Sequence, residues 1–199
     1  MLVGIRRLGP GCLPWTEALQ QWRARVQLMR MLEPEKWPAL DDDALLATLE
    51  QWALPWLAGI SRREQLKQFP LQEALYALLD RAQHETLERT LPTHVTVPSG
   101  SRISIDYLPE SGPVLAVKLQ ELFGLTRTPP LADGRLPLTI HLLSPARRPV
   151  GVTADLASFW QQGYPQVRKE LRGRYPKHPW PEDPLSAPPQ RGVKHPKPR

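Results

Sequence analysis

The spacing of apolar residues along this chain changes near residue 92 from a helical period to a strand period. The clearest helical run follows Thr16, which can cap a helix N-terminus. Its apolar residues lie three and four positions apart, at Leu19, Trp22, Val26 and Met29. This spacing places them on one face of a helix and predicts that the face is buried.

A second helix is expected to begin at the acidic cluster Asp41–Asp43, because negative charge stabilises a helix N-terminus, and to end at Pro55. Three adjacent carboxylates also resemble a metal site, but a helix start explains them better. Further helices are predicted near Arg62–Phe69 and over Leu71–Arg89. We therefore predict a small helical bundle over residues 1–92.

Apolar and polar residues alternate after residue 92, and the turn residues Pro98–Ser101 separate the first two alternating runs, which is a hairpin signal. Five strands are predicted, with one short helix after the third: Thr93–Val97, Arg102–Tyr107, Val114–Lys118, the helix Leu119–Phe123, Leu136–Leu143 and Pro149–Thr153. This is the chain order of the OB-fold, a five-stranded barrel that binds oligonucleotides or oligosaccharides. The predicted fold class is α+β, with an OB-like five-stranded β-barrel over residues 93–153.

Two helices and a proline-rich arm are predicted over residues 154–184. Asp155 can cap a helix that runs through Trp160, and Pro165 can open another that ends at Gly173. Over Tyr175–Pro184, the predicted arm, prolines recur too often for a continuous helix, since each lacks a backbone N–H and restricts the residue before it. We expect residues 185–199 to form a disordered basic tail.

The composition indicates a globular protein of a reducing compartment. Of the 199 residues 41% are apolar and seven are Trp, enough for a real core. The single cysteine, Cys12, excludes a disulfide framework within the chain and a cysteine cluster for a metal. No apolar run reaches the roughly 18–20 residues of a membrane span. We expect a cytoplasmic protein with no membrane partner.

Positive charge is concentrated at the C-terminal end of the chain. From Arg168 onward there are nine basic and three acidic residues, which accounts for the whole net charge of +6. The cations predicted here to contact nucleic-acid phosphates are Arg168, Lys169, Arg172, Arg174 and Lys177. Tyr175 and Trp180 could stack on bases, but we favour the interpretation that they anchor the arm to the protein body.

A second group of basic residues lies on or near the predicted strands and their turns: Arg102, Lys118, His141, Arg147 and Arg148. If these side chains converge, the cations among them extend a cationic groove for nucleic acid. Alternatively they mark the solvated side of the sheet, as Arg102 and Asp106 would, four residues apart and therefore on one strand face. The pattern leaves both interpretations open.

Motifs of catalysis are missing from the sequence. It contains no phosphate-binding G-x-x-x-x-G-K-[ST] loop, no G-x-G-x-x-G, no H-E-x-x-H and no G-x-S-x-G. The histidines are scattered, with no pair at metal-ligand spacing. Catalysis by this chain alone is not expected, and an independent hydrolase has no support in the residues.

Four segments resemble the C-terminal region of bacterial HrpB-type ATP-dependent helicases. They are Thr93–Tyr107 (THVTVPSGSRISIDY), Pro113–Leu125 (PVLAVKLQELFGL), Leu136–Pro145 (LPLTIHLLSP) and, most distinctively, Tyr164–Pro184 (YPQVRKELRGRYPKHPWPEDP). The similarity extends from about Leu13 to Pro184, nearly the whole chain.

The resemblance implies an accessory region without the motor. In that family a pair of RecA-like domains of the DExH class carries the P-loop and the arginine finger, upstream of the region matched here. ATP and Mg²⁺ would belong to those domains, so no cofactor is expected in this chain, which looks like an expressed fragment, a truncated product or a separate reading frame.

Two functions follow from the resemblance and the charge. The first is non-catalytic binding of single-stranded RNA or DNA, with the helicase motor domains as a further partner. The alternative is a protein-docking module that packs on the motor without touching nucleic acid. The residues do not decide between RNA and DNA.

Overall fold

The structure is a computed structural model that describes residues 1–192, and the chain divides into two compact units. The first, here called the helical unit, comprises Met1–Leu91, and the second, the sheet unit, begins at Pro92. Among the described residues no helix is both long and apolar enough to cross a membrane.

Six α-helices form the helical unit: α1 (Leu2–Leu8), α2 (Glu17–Leu32), α3 (Asp42–Ala47), α4 (Leu49–Ala53), α5 (Leu71–Tyr76) and α6 (Arg81–Thr90). Short 3-10 helices occupy Pro10–Cys12, Leu54–Trp56 and Arg63–Gln68. The predicted caps are confirmed, because Thr16 accepts a hydrogen bond from the Leu19 N–H and Asp41 accepts one from the Ala44 N–H. The Asp41–Asp43 cluster is therefore a helix start.

The apolar face predicted for α2 is also confirmed, since Leu19, Trp22, Val26 and Met29 are all buried. Arg25 is buried on the same helix, with 2% of its surface exposed. Its guanidinium donates to the carbonyl oxygens of Leu91 (2.6 Å) and Leu87 (3.3 Å) and to the carboxylate of Glu88 (2.8 Å). Arg25 thus satisfies carbonyl groups at the C-terminal end of α6, where no further helical turn is available to them.

The prediction of one continuous helix over Leu71–Arg89 was wrong, because the chain forms α5 and α6 with a break between them. Asp80 caps the N-terminus of α6. Its carboxylate accepts a hydrogen bond from the Gln83 N–H at 2.7 Å, and the Gln83 side chain accepts one from the Asp80 N–H at 2.8 Å. This reciprocal capping box satisfies donors that a helix start otherwise leaves free.

The described part of the sheet unit, residues 92–192, contains five strands: β1 (His94–Thr96), β2 (Arg102–Asp106), β3 (Val114–Lys118), β4 (Thr139–Leu143) and β5 (Pro149–Thr153). The predicted bounds of β3 and β5 agree with the structure residue for residue. The short helix predicted after β3 is present as a 3-10 helix, Leu119–Leu122.

The strands form a mixed open sheet rather than a closed barrel. They lie in the order β1-β2-β3-β4-β5, with β3 and β4 parallel and the other neighbours antiparallel. Among the described residues no pairing joins β1 to β4 or β5, as barrel closure would require. The parallel pair needs a crossover, and the long connection between Lys118 and Thr139 provides it.

Between the sheet and residue 192 the chain forms two α-helices, α7 (Leu156–Ser158) and α8 (Tyr164–Arg174), separated by a π-helical turn over Phe159–Gly163. As predicted, Asp155 caps the first by accepting from the Ser158 N–H. The Tyr164 ring packs against two aromatic rings, that of Phe123 in the connection between β3 and β4 and that of Trp160 in the π-helical turn. The distances between ring centroids are 6.2 Å to Phe123 and 5.5 Å to Trp160. Burial raises the pKa of Tyr164 to about 12.

Residues 185–192, the first part of the predicted tail, are attached to the sheet unit by hydrogen bonds. The Gly124 N–H donates to the Pro184 carbonyl, the Gln190 N–H donates to the Gln120 carbonyl, and Arg191 donates through Nε to the Ser99 carbonyl at 3.0 Å. These hydrogen bonds hold residues 185–192 against the sheet unit, although their prolines exclude regular structure. The rest of the predicted tail, residues 193–199, lies outside the described residues.

Candidate nucleic-acid interface

The strand register brings three of the predicted cations to one end of the sheet. Because β2 and β3 are antiparallel, Arg102 at the start of β2 lies near Lys118 at the end of β3. Because β3 and β4 are parallel, Lys118 pairs with Leu143, the last residue of β4. The β4–β5 turn, which carries Arg147, follows at the same end. We call this region the sheet end.

Arg102, Lys118 and Arg147 line one cavity of about 190 Å³ at the sheet end. Ser104 and Glu121 contribute to the same wall. Within residues 1–192 none of the three cations lies within ion-pair distance of a carboxylate, so none of them is engaged in an ion pair. The convergence that the sequence left open is therefore present for these three residues.

Glu121 is the residue of this cavity that sequence reasoning missed. It lies in the 3-10 helix after β3, and only 7% of its surface is exposed. The Ser99 hydroxyl donates to its carboxylate at 2.8 Å, and the Ser99 N–H donates to its carbonyl at 3.3 Å. A charged residue in an apolar run is usually expected at the surface, so nothing in the sequence pointed to this position.

Arg168 does not have the open position expected of a phosphate-binding residue. Its Nε donates to the Trp180 carbonyl at 2.9 Å, and its Nη2 lies 3.1 Å from the Glu182 carboxylate. The Trp180 indole is buried and donates to the Tyr175 carbonyl, while the Tyr164 hydroxyl donates to the Pro181 carbonyl. Arg168 therefore anchors the proline-rich arm, and the interpretation of Trp180 as an anchor agrees with these contacts.

The other four cations predicted on and after α8 are exposed: Lys169, Arg172, Arg174 and Lys177. None of them is within ion-pair distance of a carboxylate in the described part of the chain. Two of them, Arg172 and Arg174, also lie in the last helical turn, where positive charge stabilises the helix C-terminus. The position of these two cations has a structural explanation as well as a functional one.

Arg148 and His141 lie near the cavity but do not line it. Arg148 is exposed in the β4–β5 turn, where its N–H donates to the Ser144 hydroxyl at 3.1 Å. His141 is half-buried on β4, opposite Ala116 of β3. Of the residues predicted on and near the strands, the cavity thus unites three and leaves these two outside.

The arm rests against the sheet end. The Tyr175 hydroxyl donates to the Ser144 hydroxyl at 3.4 Å, and the Gln120 amide donates to the Pro179 carbonyl at 3.3 Å. Burial lowers the pKa of His178 below its ordinary value, and the nearby Lys118 ammonium lowers it further. Strands, turns and the arm therefore meet at the sheet end. The arm contributes Tyr175 and Pro179, which contact it, and His178, which lies near Lys118.

Comparison with known proteins identifies this architecture, a helical unit followed by a mixed sheet with a cationic end and an attached arm, as a helicase C-terminal region. A family model described as ATP-dependent helicase C-terminal, HrpB_C, matches residues 52–184. The chain belongs to this HrpB C-terminal family.

Among characterised proteins the chain is 47% identical over 195 residues to the ATP-dependent RNA helicase HrpB of Escherichia coli strain K12. The alignment covers 98% of this chain and 24% of that protein, so the chain spans about a quarter of the length of the relative it matches.

Two solved structures have the same fold. The crystal structure of the E. coli DExH-box NTPase HrpB superposes with a TM-score of 0.89 at 47% identity, covering 95% of this chain and 24% of that one. The crystal structure of the E. coli DEAH/RHA helicase HrpB gives a TM-score of 0.75 at 45% identity, covering 90% and 23%.

Proposed function

We propose that this chain is a non-catalytic accessory region of an ATP-dependent helicase that holds single-stranded RNA or DNA at the sheet end. The observation that carries the proposal is the convergence of Arg102, Lys118 and Arg147 on one cavity without a neutralising ion pair. A translocating motor needs a surface that binds the phosphate backbone regardless of base sequence. Unpaired cations at the end of a sheet provide such a surface, because they attract phosphates and displace the counterions bound to them.

The exposed cations of α8 and the arm add a second surface for the same strand. Lys169, Arg172, Arg174 and Lys177 are candidates there, together with Arg148 in the β4–β5 turn. Arg168 is a weaker candidate, because its guanidinium is already occupied by Trp180 and Glu182. We also retain the OB-like description as a proposal, since the order of the strands and the short helix along the chain is that of the OB-fold.

ATP hydrolysis and the Mg²⁺ that it requires are assigned to helicase motor domains, which we propose as the protein partner. The relative from E. coli is described as an ATP-dependent RNA helicase, which supports a nucleic-acid substrate for this family. The free thiol of Cys12 suits the reducing cytoplasm, where we expect the protein to act.

The decisive experiment measures binding of a labelled single-stranded oligonucleotide over a range of salt concentrations. For single strands the logarithm of the affinity falls with the logarithm of salt by about 0.7 per phosphate contact. Replacing Arg102, Lys118 and Arg147 together by Ala should therefore weaken binding at low salt and reduce the slope by about 2. A control with the same charge change replaces Arg62, Arg63 and Lys67, exposed residues of the helical unit, and should bind normally. Binding that does not depend on salt, or an equal loss in both triple variants, would contradict the proposal.

The docking alternative makes a different prediction, which another triple variant tests. If the arm were a brace against another protein, Trp180 would have to be accessible, yet its side chain is buried. Docking would instead use the exposed cations of α8. Normal oligonucleotide affinity with lost association to the motor domains, after Lys169, Arg172 and Arg174 are changed to Ala, would favour docking.

A further inference from the structure

The cationic cavity contains one feature that phosphate binding does not explain, the buried carboxylate of Glu121. It lines the wall together with Arg102, Lys118 and Arg147. Two like charges 4 Å apart repel by about 4 kcal/mol at the effective dielectric of a protein surface. A site for phosphate alone would therefore bind more tightly without this carboxylate, and a second ligand group would explain its presence.

The Glu121 carboxylate can accept more hydrogen bonds than it receives. The Ser99 hydroxyl donates one hydrogen bond to its Oε2, at 2.8 Å. An ionised carboxylate offers about four acceptor positions. Among the described residues no other donor reaches it, so acceptor positions remain for a ligand that carries a hydroxyl group.

The cavity has the size and mixed chemistry for one sugar-phosphate unit. Its volume of about 190 Å³ is below the roughly 300 Å³ at which pockets begin to hold drug-sized ligands. Three cations suit a phosphate, and a carboxylate acceptor beside them suits a hydroxyl donor. In a nucleic-acid backbone that combination occurs only in RNA, whose ribose carries a 2′-hydroxyl that DNA lacks.

We propose that Glu121 accepts a hydrogen bond from a ribose 2′-hydroxyl while Arg102, Lys118 and Arg147 hold a neighbouring phosphate, so that the sheet end selects RNA over DNA. This inference rests on the proposed function and adds its specificity. Glu121 is then a specificity-determining residue. Its negative charge weakens the binding of any phosphate backbone, and its hydrogen bond compensates for this only in RNA, whose 2′-hydroxyl can donate to it.

The simpler explanation is that Glu121 only holds the β1–β2 turn through Ser99. That role needs one acceptor atom and no charge, and a glutamine would fill it. The variant Glu121→Gln therefore separates the two roles, because its amide oxygen can still accept from Ser99 while its NH₂ group replaces the second carboxylate oxygen.

The test compares three labelled oligonucleotides of identical sequence on the full chain: RNA, DNA and 2′-fluoro RNA. The 2′-fluoro strand retains a small polar substituent but cannot donate. A hydrogen bond to a charged group corresponds to about a tenfold difference in affinity. We expect RNA to bind about tenfold more tightly than the other two, and we expect Glu121→Gln to remove that preference while raising affinity for all three. Glu110→Gln, an exposed acid outside the cavity, is the control and should keep the preference.

The outcomes separate this inference from the proposed function. Salt-dependent binding of equal strength to all three strands overturns the role of Glu121 and leaves the proposed function standing. A preference for RNA that survives Glu121→Gln also overturns the assignment. No binding to any strand overturns both. An unchanged urea unfolding midpoint in Glu121→Gln shows that the turn has been preserved.

Discussion

The Arg168 guanidinium and the Trp180 backbone carbonyl are joined by a hydrogen bond of 2.9 Å that spans twelve residues of sequence. It connects α8 to the arm that folds back from it. Three further hydrogen bonds fix the same segment, from Trp180 to Tyr175, from Tyr164 to Pro181 and from Gln120 to Pro179. The arm therefore behaves as part of the sheet unit.

Replacing Arg168 by Ala should destabilise the sheet unit by about 1–2 kcal/mol, since a charge-assisted hydrogen bond to a partly buried carbonyl is lost. Arg168→Lys should lose nearly as much, because an ammonium cannot reach the Trp180 carbonyl and the Glu182 carboxylate with the same planar fork. Urea unfolding measures both. Lys169→Ala, an exposed neighbour, is the control, and equal effects at the two positions would contradict the anchoring role.

Arg25→Ala should destabilise the helical unit by about 2–4 kcal/mol, because the Leu87 and Leu91 carbonyls lose their buried donor. The matched variant Glu88→Ala removes the partner carboxylate, whose side chain is 59% exposed, and should cost less than about 1 kcal/mol. Thermal unfolding of the two variants compares the effects. A larger loss for Glu88→Ala would show that the ion pair, and not the carbonyl contacts, stabilises this end of α6.

The sheet unit should lose stability as the pH falls below 6.5, the ordinary pKa of histidine. Burial, and to a smaller extent the Lys118 ammonium, lower the pKa of His178 in the folded unit. Below pH 6.5 the unfolded chain therefore binds a proton on this histidine more readily than the folded unit does, which favours unfolding. The stability is full above that value and is lost progressively as the pH falls through the lowered pKa. Among the described residues Nδ1 of His178 is buried without a hydrogen-bond partner, so a proton placed there finds no acceptor.

His178→Gln isolates this effect from the other histidines. Unfolding free energies measured at pH about 7.5 and about 5.5 should differ less in the variant than in the wild type. An identical pH dependence in the two proteins would show that His178 does not contribute.

Asp80→Ala should destabilise α6 by about 1 kcal/mol, the usual effect of losing an N-cap. Asp80→Asn keeps an acceptor for the Gln83 N–H and should retain most of the stability. Circular dichroism during urea unfolding follows both variants. If the alanine variant is as stable as the wild type, the break between α5 and α6 is held by packing and not by the cap.

Features that depend on neighbouring residues in the chain could be predicted from the sequence. The caps at Thr16, Asp41 and Asp155 and the alternation along β2 are local, and each was found where the pattern placed it. The break at Asp80 could also have been predicted, because Asp80 and Gln83 have the spacing of a capping box. The apolar residues continue at helical spacing on both sides of Asp80, and this pattern favoured one continuous helix.

Features that depend on distant residues could not be predicted. Arg168 and Lys169 are adjacent cations on one helix, and only the return of the arm separates their surroundings. In the same way Glu121 became a buried cavity residue because the β1–β2 turn brings Ser99 to it. The three cations of the cavity were predicted individually, but their convergence required the parallel pairing of β3 with β4.

The hydrogen bond between Arg191 and Ser99 joins residues 92 positions apart, whereas the whole helical unit comprises only the first 91 residues. Protein synthesis proceeds from the N-terminus, and domains fold as units as they emerge. The helical unit can therefore fold while the sheet unit is still being made. The bond that Arg191 donates to the first turn of the sheet, by contrast, can form only after one of the last described residues has been made, so the sheet unit is completed later than the helical unit.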